Sequence, residues 1–469
     1  MARPRTASTT WRSRIDSHQH ISHDSIANLG HDWSRVADPD ESPQYPAKVY
    51  LPRTAEDVAA AVIETRQLGQ RLVVRSKGHS SNHLVTPHGP GTAVLLTQVM
   101  DQVLAIDADA GTATVQVGVA NAALDDLLAE RGLGLPVVGD HRDITVGGFL
   151  SVGGISPTSH RNGLFVERVV EVEFVDAEGV MQRCGPQDRP ELYWQLAGGL
   201  GRGGIITQAT LQVVPIDKYR TVLANDQTHY RSFEAYLAAT TQKLRDPGDA
   251  WAARGMWLDL GRGRGLGQFS SYHATPASTG KALADKASHE VLHRIGLAAG
   301  TVPAGIDKAL KLLGTAATMY APPFASMKNV EFFSDKLIDS TVGDPTRMLI
   351  ALVPLDVYPA LVPQLWQLLT RYRQRHACFT FLACYVKGIT SDYLARGGER
   401  QFSEVTFLLG IRRGALTETL LAALVEQFDT LVIAHDAYRY MHTRTVADDA
   451  RRALIDPNLR HLARLATTP

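Results

Sequence analysis

The chain has 469 residues, its 48 Lys and Arg balance 48 Asp and Glu, and 44% of it is hydrophobic. That length predicts two or three domains. The balanced charge excludes the basic excess of a nucleic-acid binder and the acidic tail of a disordered interactor.

Three cysteines, Cys184, Cys378 and Cys384, make no disulfide framework and match no common zinc spacing, so no metal site is expected. No apolar stretch follows Met1–Arg14, and no segment reaches the roughly 18 apolar residues of a membrane span. A soluble, cytoplasmic protein is expected. Residues 1–45 are polar and contain His18, His20, His23 and His31 at spacings that suit no usual ligand set, so they read as an arm. An extended strand follows over Ala47–Leu51. Helical spacing then runs from Ala55 to Leu68, with Glu56 and Asp57 in the first turn.

A strand, Arg71–Val74, feeds the loop Arg75-Ser76-Lys77-Gly78-His79-Ser80. Consecutive N–H groups in such a turn can converge on one anion, Gly78 permits close approach, and Arg75 and Lys77 add charge. Taken alone, six such residues also describe an ordinary surface turn. Strands are predicted over Ala93–Leu96, and over Val103–Asp107 and Thr112–Val117 joined at Asp109-Ala110-Gly111. Asn121 is placed as the cap of a helix over Ala122–Arg131, closed by Gly132.

Thr145-Val146-Gly147-Gly148-Phe149-Leu150-Ser151-Val152-Gly153-Gly154-Ile155 is too rich in glycine for a regular element, and suits a backbone wrapped on a flat or charged ligand. A hairpin, Val169–Val175 with Gly179–Cys184, and a helix, Glu191–Ala197, lead to a third Gly-rich stretch, Gly198–Thr207, and a strand, Ala209–Val214. Three such stretches in one half of a chain point to a large cofactor. No G-x-G-x-x-G lies between a first strand and helix, which weighs against a nicotinamide enzyme. Strands and helices mix without strict alternation, which predicts an α+β fold.

Beyond Pro215 the glycines thin out. Helices are predicted over Ser232–Leu244, Gly280–Ala299, Leu361–Arg373 and Thr417–Phe428, and strands over Met348–Pro354 and Val405–Gly410. Gly261–Gly267 reads as a hairpin tip rather than an anion site.

These stretches carry a resemblance. The 75–80 loop resembles the R-G-R-G-H-S loop of cytokinin dehydrogenases, with Ser76 and Lys77 in place of Gly and Arg. Asp140 to Ile155 is similar to that family's D-x-x-x-x-T-V-G-G-x-L-S-x-x-G-I, and Arg452-Ala453-Leu454-Ile455-Asp456-Pro457-Asn458 to the K-x-x-F-D-P near the end of many related flavoproteins.

The resemblance implies a PCMH-type FAD-binding domain of two subdomains over residues 46–216. It also implies an α+β substrate or cap domain over 217–430 and a C-terminal segment, 431–469, that returns to the first domain. It assigns FAD to Arg75, Ser76, Lys77, Gly78, His79, Ser80, Thr145, Val146, Gly147, Gly148, Ser151, Gly154, Ile155 and Ile206. It implies a covalent bond from His79 to the flavin ring methyl. No cysteine lies between His79 and Cys184, so no second bond is expected. Asp140 takes the position of the catalytic aspartate that accepts a proton from the substrate. Asp143 and His141 are competitors for that role, and a simple turn residue is the alternative.

Counterparts of the family's substrate-binding glutamate and tryptophan are missing. Tyr438-Arg439-Tyr440-Met441-His442 stands where Y-L-P-H-Y is expected, its tyrosines being either pocket or core. The implied activity is removal of a hydride from a C–H bond next to N or O of a small molecule, with oxygen or a quinone as electron acceptor, in a monomer or homodimer. Cytokinin cleavage and oxidation of a secondary metabolite are both open. A non-catalytic flavin-fold binding protein is the reading from another class, against which an intact His79 and Asp140 argue.

Overall fold

The computed structural model describes residues 46–467, with 29, 30 and 32, apart from 81–83, 88, 90, 262–263, 277, 300–322, 332–345, 413, 444 and 446–447. The N-terminal histidines therefore lie outside the described residues.

Strands β1 (Lys48–Tyr50), β2 (Arg71–Arg75) and β3 (Thr92–Leu96) form a parallel sheet in the order β1-β3-β2. Helix α1 (Ala55–Gln67) supplies the crossover and starts in a capping box. The Thr54 side chain accepts from the Asp57 amide, and the Asp57 carboxylate accepts from the Thr54 amide. Strand β3 is buried along its whole length, as the centre of a parallel sheet should be.

A second, antiparallel sheet runs β4-β5-β9-β7-β8, from β4 (Val103–Asp107), β5 (Thr112–Gln116), β7 (Val169–Val175), β8 (Met181–Cys184) and β9 (Ile205–Gln212). Both predicted hairpins are present. β6 (Leu133–Gly134) pairs with β10 (Val214–Pro215).

Two expectations are corrected here. Asn121 does not cap helix α2 (Asn121–Ala129). It is inside the helix and fully buried, and its amide donates to the Val138 carbonyl, so the side chain ties the helix to the following loop. The Gly-rich stretch after Thr145 is a helix, α3 (Val146–Val152). It forms because Val146, Phe149 and Leu150 bury one apolar stripe, while Gly147 lets the helix approach the residue just after β5, where a Cβ would fall 2.7 Å from that of Val117.

The second half is far richer in strand than its sequence suggested. Eight strands form one antiparallel sheet in the order β14-β11-β13-β12-β16-β17-β15-β18. They are β11 (Val222–Tyr230), β12 (Ala252–Gly261), β13 (Arg264–Thr275), β14 (Phe324–Ser326), β15 (Thr346–Pro354), β16 (Phe379–Thr390), β17 (Gln401–Ile411) and β18 (Tyr438–Arg439). Of the Gly261–Gly267 stretch, Gly261 ends β12 and Arg264–Gly267 begin its antiparallel partner β13, while 262 and 263 lie outside the described residues.

One face of this sheet packs on the helices Phe233–Arg245, Tyr358–His376 and Glu418–Ala434 through Leu349, Cys384, Val405 and Phe407. At one end the opposite face joins the core of the first half, where Ile350, Leu352, Ile389, Phe402, Tyr438 and Tyr440 meet the residues around Phe149 and Phe165. Tyr438 and Tyr440 are thus core residues. The C-terminal segment also returns: Asp456 and Asn458 receive Arg202 at 2.9 and 2.8 Å, and the Asn458 amide donates to the Trp194 and Ala197 carbonyls.

Candidate active site between two loops and the large sheet

Strand β2 ends in the 75–80 turn because Gly78 adopts φ +72°, a left-handed conformation that glycine enters without strain. The turn is tight enough that a Cβ at Gly78 would fall 2.3 Å from the Arg75 guanidinium. The loop holding Asp140 folds against it. The rings of His79 and His141 lie 4.1 Å apart, and Lys77 Nζ lies 2.9 Å from Asp143 Oδ1. Lys77, expected to offer its charge to an anion, is therefore already paired. Burial works against the Asp143 charge, but the Lys77 ammonium prevails and holds this carboxyl below its ordinary range.

The hydroxyl oxygens of Ser76 and Ser80 are buried and lack a hydrogen-bond partner among the described residues. Such groups call for a ligand or water. Phosphate oxygens of a dinucleotide would accept from both hydroxyls, so the turn fits the pyrophosphate of FAD.

The amides of Val146 and Gly147 donate to the Val119 and Val117 carbonyls, both at 2.9 Å, and the Ser151 hydroxyl to the Gly147 carbonyl. At α3 the backbone amides of these two residues are thus engaged within the fold. The open surface is that of Gly148, where a Cβ would meet only Thr145 Oγ1, at 3.3 Å. Ile155 and Ile206 are buried beneath. The third Gly-rich stretch docks on α3 through the Gly198 and Leu200 amides and receives the C-terminal segment through Arg202. Its glycines serve packing, and of this stretch only Ile206 was assigned to the cofactor.

A prediction separates these roles. Gly148→Val is expected to yield a folded protein without flavin, because the chain itself leaves room for the side chain. Gly147→Val is expected to disturb folding through Val117. Flavin absorbance per mole of protein, read beside circular dichroism, checks both, and full flavin content in Gly148→Val refutes the placement.

Asp140 approaches the large sheet. Its Oδ2 lies 2.5 Å from Lys387 Nζ, while its Oδ1 is buried without a hydrogen-bond partner among the described residues. Lys387, 2% exposed on β16, is also 2.7 Å from Glu404 Oε2 on β17. The strand register places Lys387 directly opposite both Glu404 and Arg254, so three charged side chains share one face. Burial disfavours the Lys387 charge, but Asp140 and Glu404 outweigh it and hold the ammonium well above its usual range. Tyr385, two residues before Lys387, has a buried hydroxyl with no hydrogen-bond partner among the described residues; burial, then the Asp140 charge, push its ionisation up. His442 also adjoins the group. Burial first, then Lys387 and Arg439, lower it to about 3, so it is neutral at physiological pH.

None of these partners was singled out from the sequence. Lys387 interrupts an otherwise apolar run and Glu404 pairs with it across the strands, with Val386 and Val405 facing the other way. That alternation was the available signal.

With this geometry in place, the first half of the chain can be set beside known proteins. Residues 46–185 match the FAD binding domain family. Over this stretch the chain is similar to FAD-linked oxidoreductases, cytokinin dehydrogenases among them. It is 34% identical over 192 residues to cytokinin dehydrogenase 2 of Arabidopsis thaliana, covering 40% of this chain and 36% of that one. An uncharacterized oxidoreductase of the fasciation locus of Rhodococcoides fascians is 33% identical over 36% of this chain and 37% of its own. L-gulonolactone oxidase of Bos taurus is 28% identical over 36% of this chain and 38% of its own. The chain thus spans little more than a third of the length of these relatives. No helix among the described residues is long and apolar enough to cross a membrane.

Proposed function

We propose that the protein is an FAD-dependent oxidoreductase that takes a hydride from a C–H bond next to N or O of a small molecule, with FAD bonded covalently to His79. The observation that carries this reading is the buried Oδ1 of Asp140, without a hydrogen-bond partner among the described residues and held beside the His79 loop by a lysine on its other oxygen. FAD, when bound, supplies the hydride acceptor at ring N5. The turn from Arg75 to Ser80 would seat the pyrophosphate, with Gly148, Gly154, Ile155 and Ile206 beneath the cofactor. Asp140 would receive the proton from the substrate N–H or O–H at Oδ1, and the face of the large sheet carrying Tyr385 and Lys387 would close over the substrate. In this reading residues 46–216 bind FAD, 217–430 form the cap and 431–469 return to the first unit. Oxygen or a quinone reoxidises the flavin, and the protein acts in the cytoplasm as a monomer or homodimer.

A hydroxylated substrate is favoured over a cytokinin by one observation. Gln268, Ser270, Arg254, Lys387, Glu404 and Thr406, all on the inward face of the sheet, are polar and buried, where an adenine with an apolar tail calls for an apolar slot. The similarity to a protein named L-gulonolactone oxidase accords with this.

Acid-denatured protein is expected to keep its yellow colour in the pellet, and His79→Ala to release it; colour in the supernatant of the unmodified protein refutes the covalent bond. Anaerobic bleaching of the flavin by a panel of cytokinins, sugar lactones and polyols tests the reaction and identifies the substrate class.

A further inference from the structure

We infer that Lys387 is the positioning residue of Asp140, and that Glu404 balances its charge so that Asp140 keeps its capacity to take a proton. The inference rests on the reading of Asp140 as proton acceptor. It starts from an asymmetry. Of the two oxygens of Asp140, Oδ2 is fixed at 2.5 Å by Lys387, and Oδ1 is buried and unpartnered among the described residues. A carboxylate at the end of a loop has free rotation about its side-chain bonds. One short ion pair to a side chain anchored in the middle of a sheet removes that freedom and leaves a single oxygen to act.

A lysine alone would also oppose protonation of its partner. Here Glu404, 2.7 Å from the same ammonium, supplies a second negative charge. With Arg254 counted, two carboxylates face two cations, so without Glu404 the site would already hold a net positive charge before Asp140 received a proton. The other groups facing it are Arg254, Tyr385, Tyr440 and His442, as their electrostatic interactions with Asp140 or Lys387 show. Of these only Arg254 is charged at neutral pH, and its guanidinium also donates to the Tyr272 hydroxyl and the Val330 carbonyl.

The arrangement separates position from charge, and so do the variants. Lys387→Met leaves the buried Glu404 carboxylate and the part-buried Asp140 carboxylate close together without the lysine between them. Its melting temperature is expected to lie below that of the wild type and to approach it as pH falls from 8 to 5, because protonating one carboxyl removes the repulsion. Lys387→Met combined with Glu404→Gln removes that repulsion while leaving Asp140 unheld.

The double variant is expected to fold and keep its flavin, with the rate of anaerobic flavin reduction at saturating substrate down about 10²-fold, the cost of a base displaced by about 1 Å. Lys387→Arg, which restores a cation, is expected to recover part of the rate. A double variant that reduces its flavin at the wild-type rate overturns the positioning role, provided Asp140→Asn is slow. If Asp140→Asn is itself at the wild-type rate, the reading of Asp140 as base fails and the inference falls with it. A Lys387→Met melting deficit that does not change with pH overturns the charge argument.

Discussion

Asp140→Asn is expected to slow anaerobic flavin reduction by about 10²–10⁴-fold while leaving FAD content and melting temperature close to those of the wild type. Asparagine keeps the shape of the side chain and its contact to Lys387, and removes the proton acceptor. The matched control is Asp143→Asn, expected to be near normal. That residue is three positions along the same loop, more exposed, and already paired with Lys77 at 2.9 Å. Stopped-flow absorbance under nitrogen reads both. A normal rate in Asp140→Asn with a slow Asp143→Asn would move the base to Asp143. Normal rates in both would place it elsewhere around Tyr385, Tyr440 and His442.

The second large effect is structural. Lys218→Ala is expected to destabilise the protein by about 3–5 kcal/mol, because it removes one member of a fully buried ionic cluster and leaves its partners uncompensated. Lys218 Nζ donates to the Leu135 carbonyl at 2.7 Å and to Glu331 at 2.8 Å, and lies 3.2 Å from Asp125 on α2. Lys328 meets the other Asp125 oxygen at 3.0 Å. The cluster joins α2 of the FAD-binding half to the helix Met327–Glu331 beside the large sheet. Chemical denaturation midpoints measure the loss.

The same cluster predicts a pH dependence. Burial pushes the Glu331 carboxyl up to about 7; Lys218 opposes the shift and Asp125 adds to it. Unfolded, the group titrates near its ordinary 4.5. Between these values the folded chain binds the extra proton. The stability Glu331 contributes is therefore fully present below about 4.5 and is lost as pH rises through 7. Glu331→Gln is expected to flatten the fall in melting temperature over that window. An unchanged slope would show that another group sets it.

Local chemistry made much of the first half legible. The capping residues of α1, the strand into the 75–80 turn and the two hairpins are written in short-range pattern: a capping box, β-branched runs, and turns at Asp109–Gly111 and Asp176–Glu178. The Gly-rich stretch at 145–155 was legible as unusual but not as a helix, because what makes Val146–Val152 helical is the burial of one stripe against β9 and Phe165, contacts outside the stretch itself. The long strands of the second half were hidden for a similar reason. β12, β13 and β16 carry Arg254, Gln268, Ser270 and Lys387 on an inward face that no hydropathy pattern identifies as buried. Asp140 could be named from sequence because it sits five residues before Thr145 in a recognisable stretch. Lys387, 247 residues away, could not, since only the antiparallel register of β16 and β17 brings its ammonium between Asp140 and Glu404. The sequence by itself determined the 75–80 turn, whose geometry and small residues are local properties. The tertiary structure alone decided which carboxylate is held, by which cation, and which oxygen is left without a partner among the described residues, because only the packing of distant strands brings the buried Lys387 ammonium to Asp140.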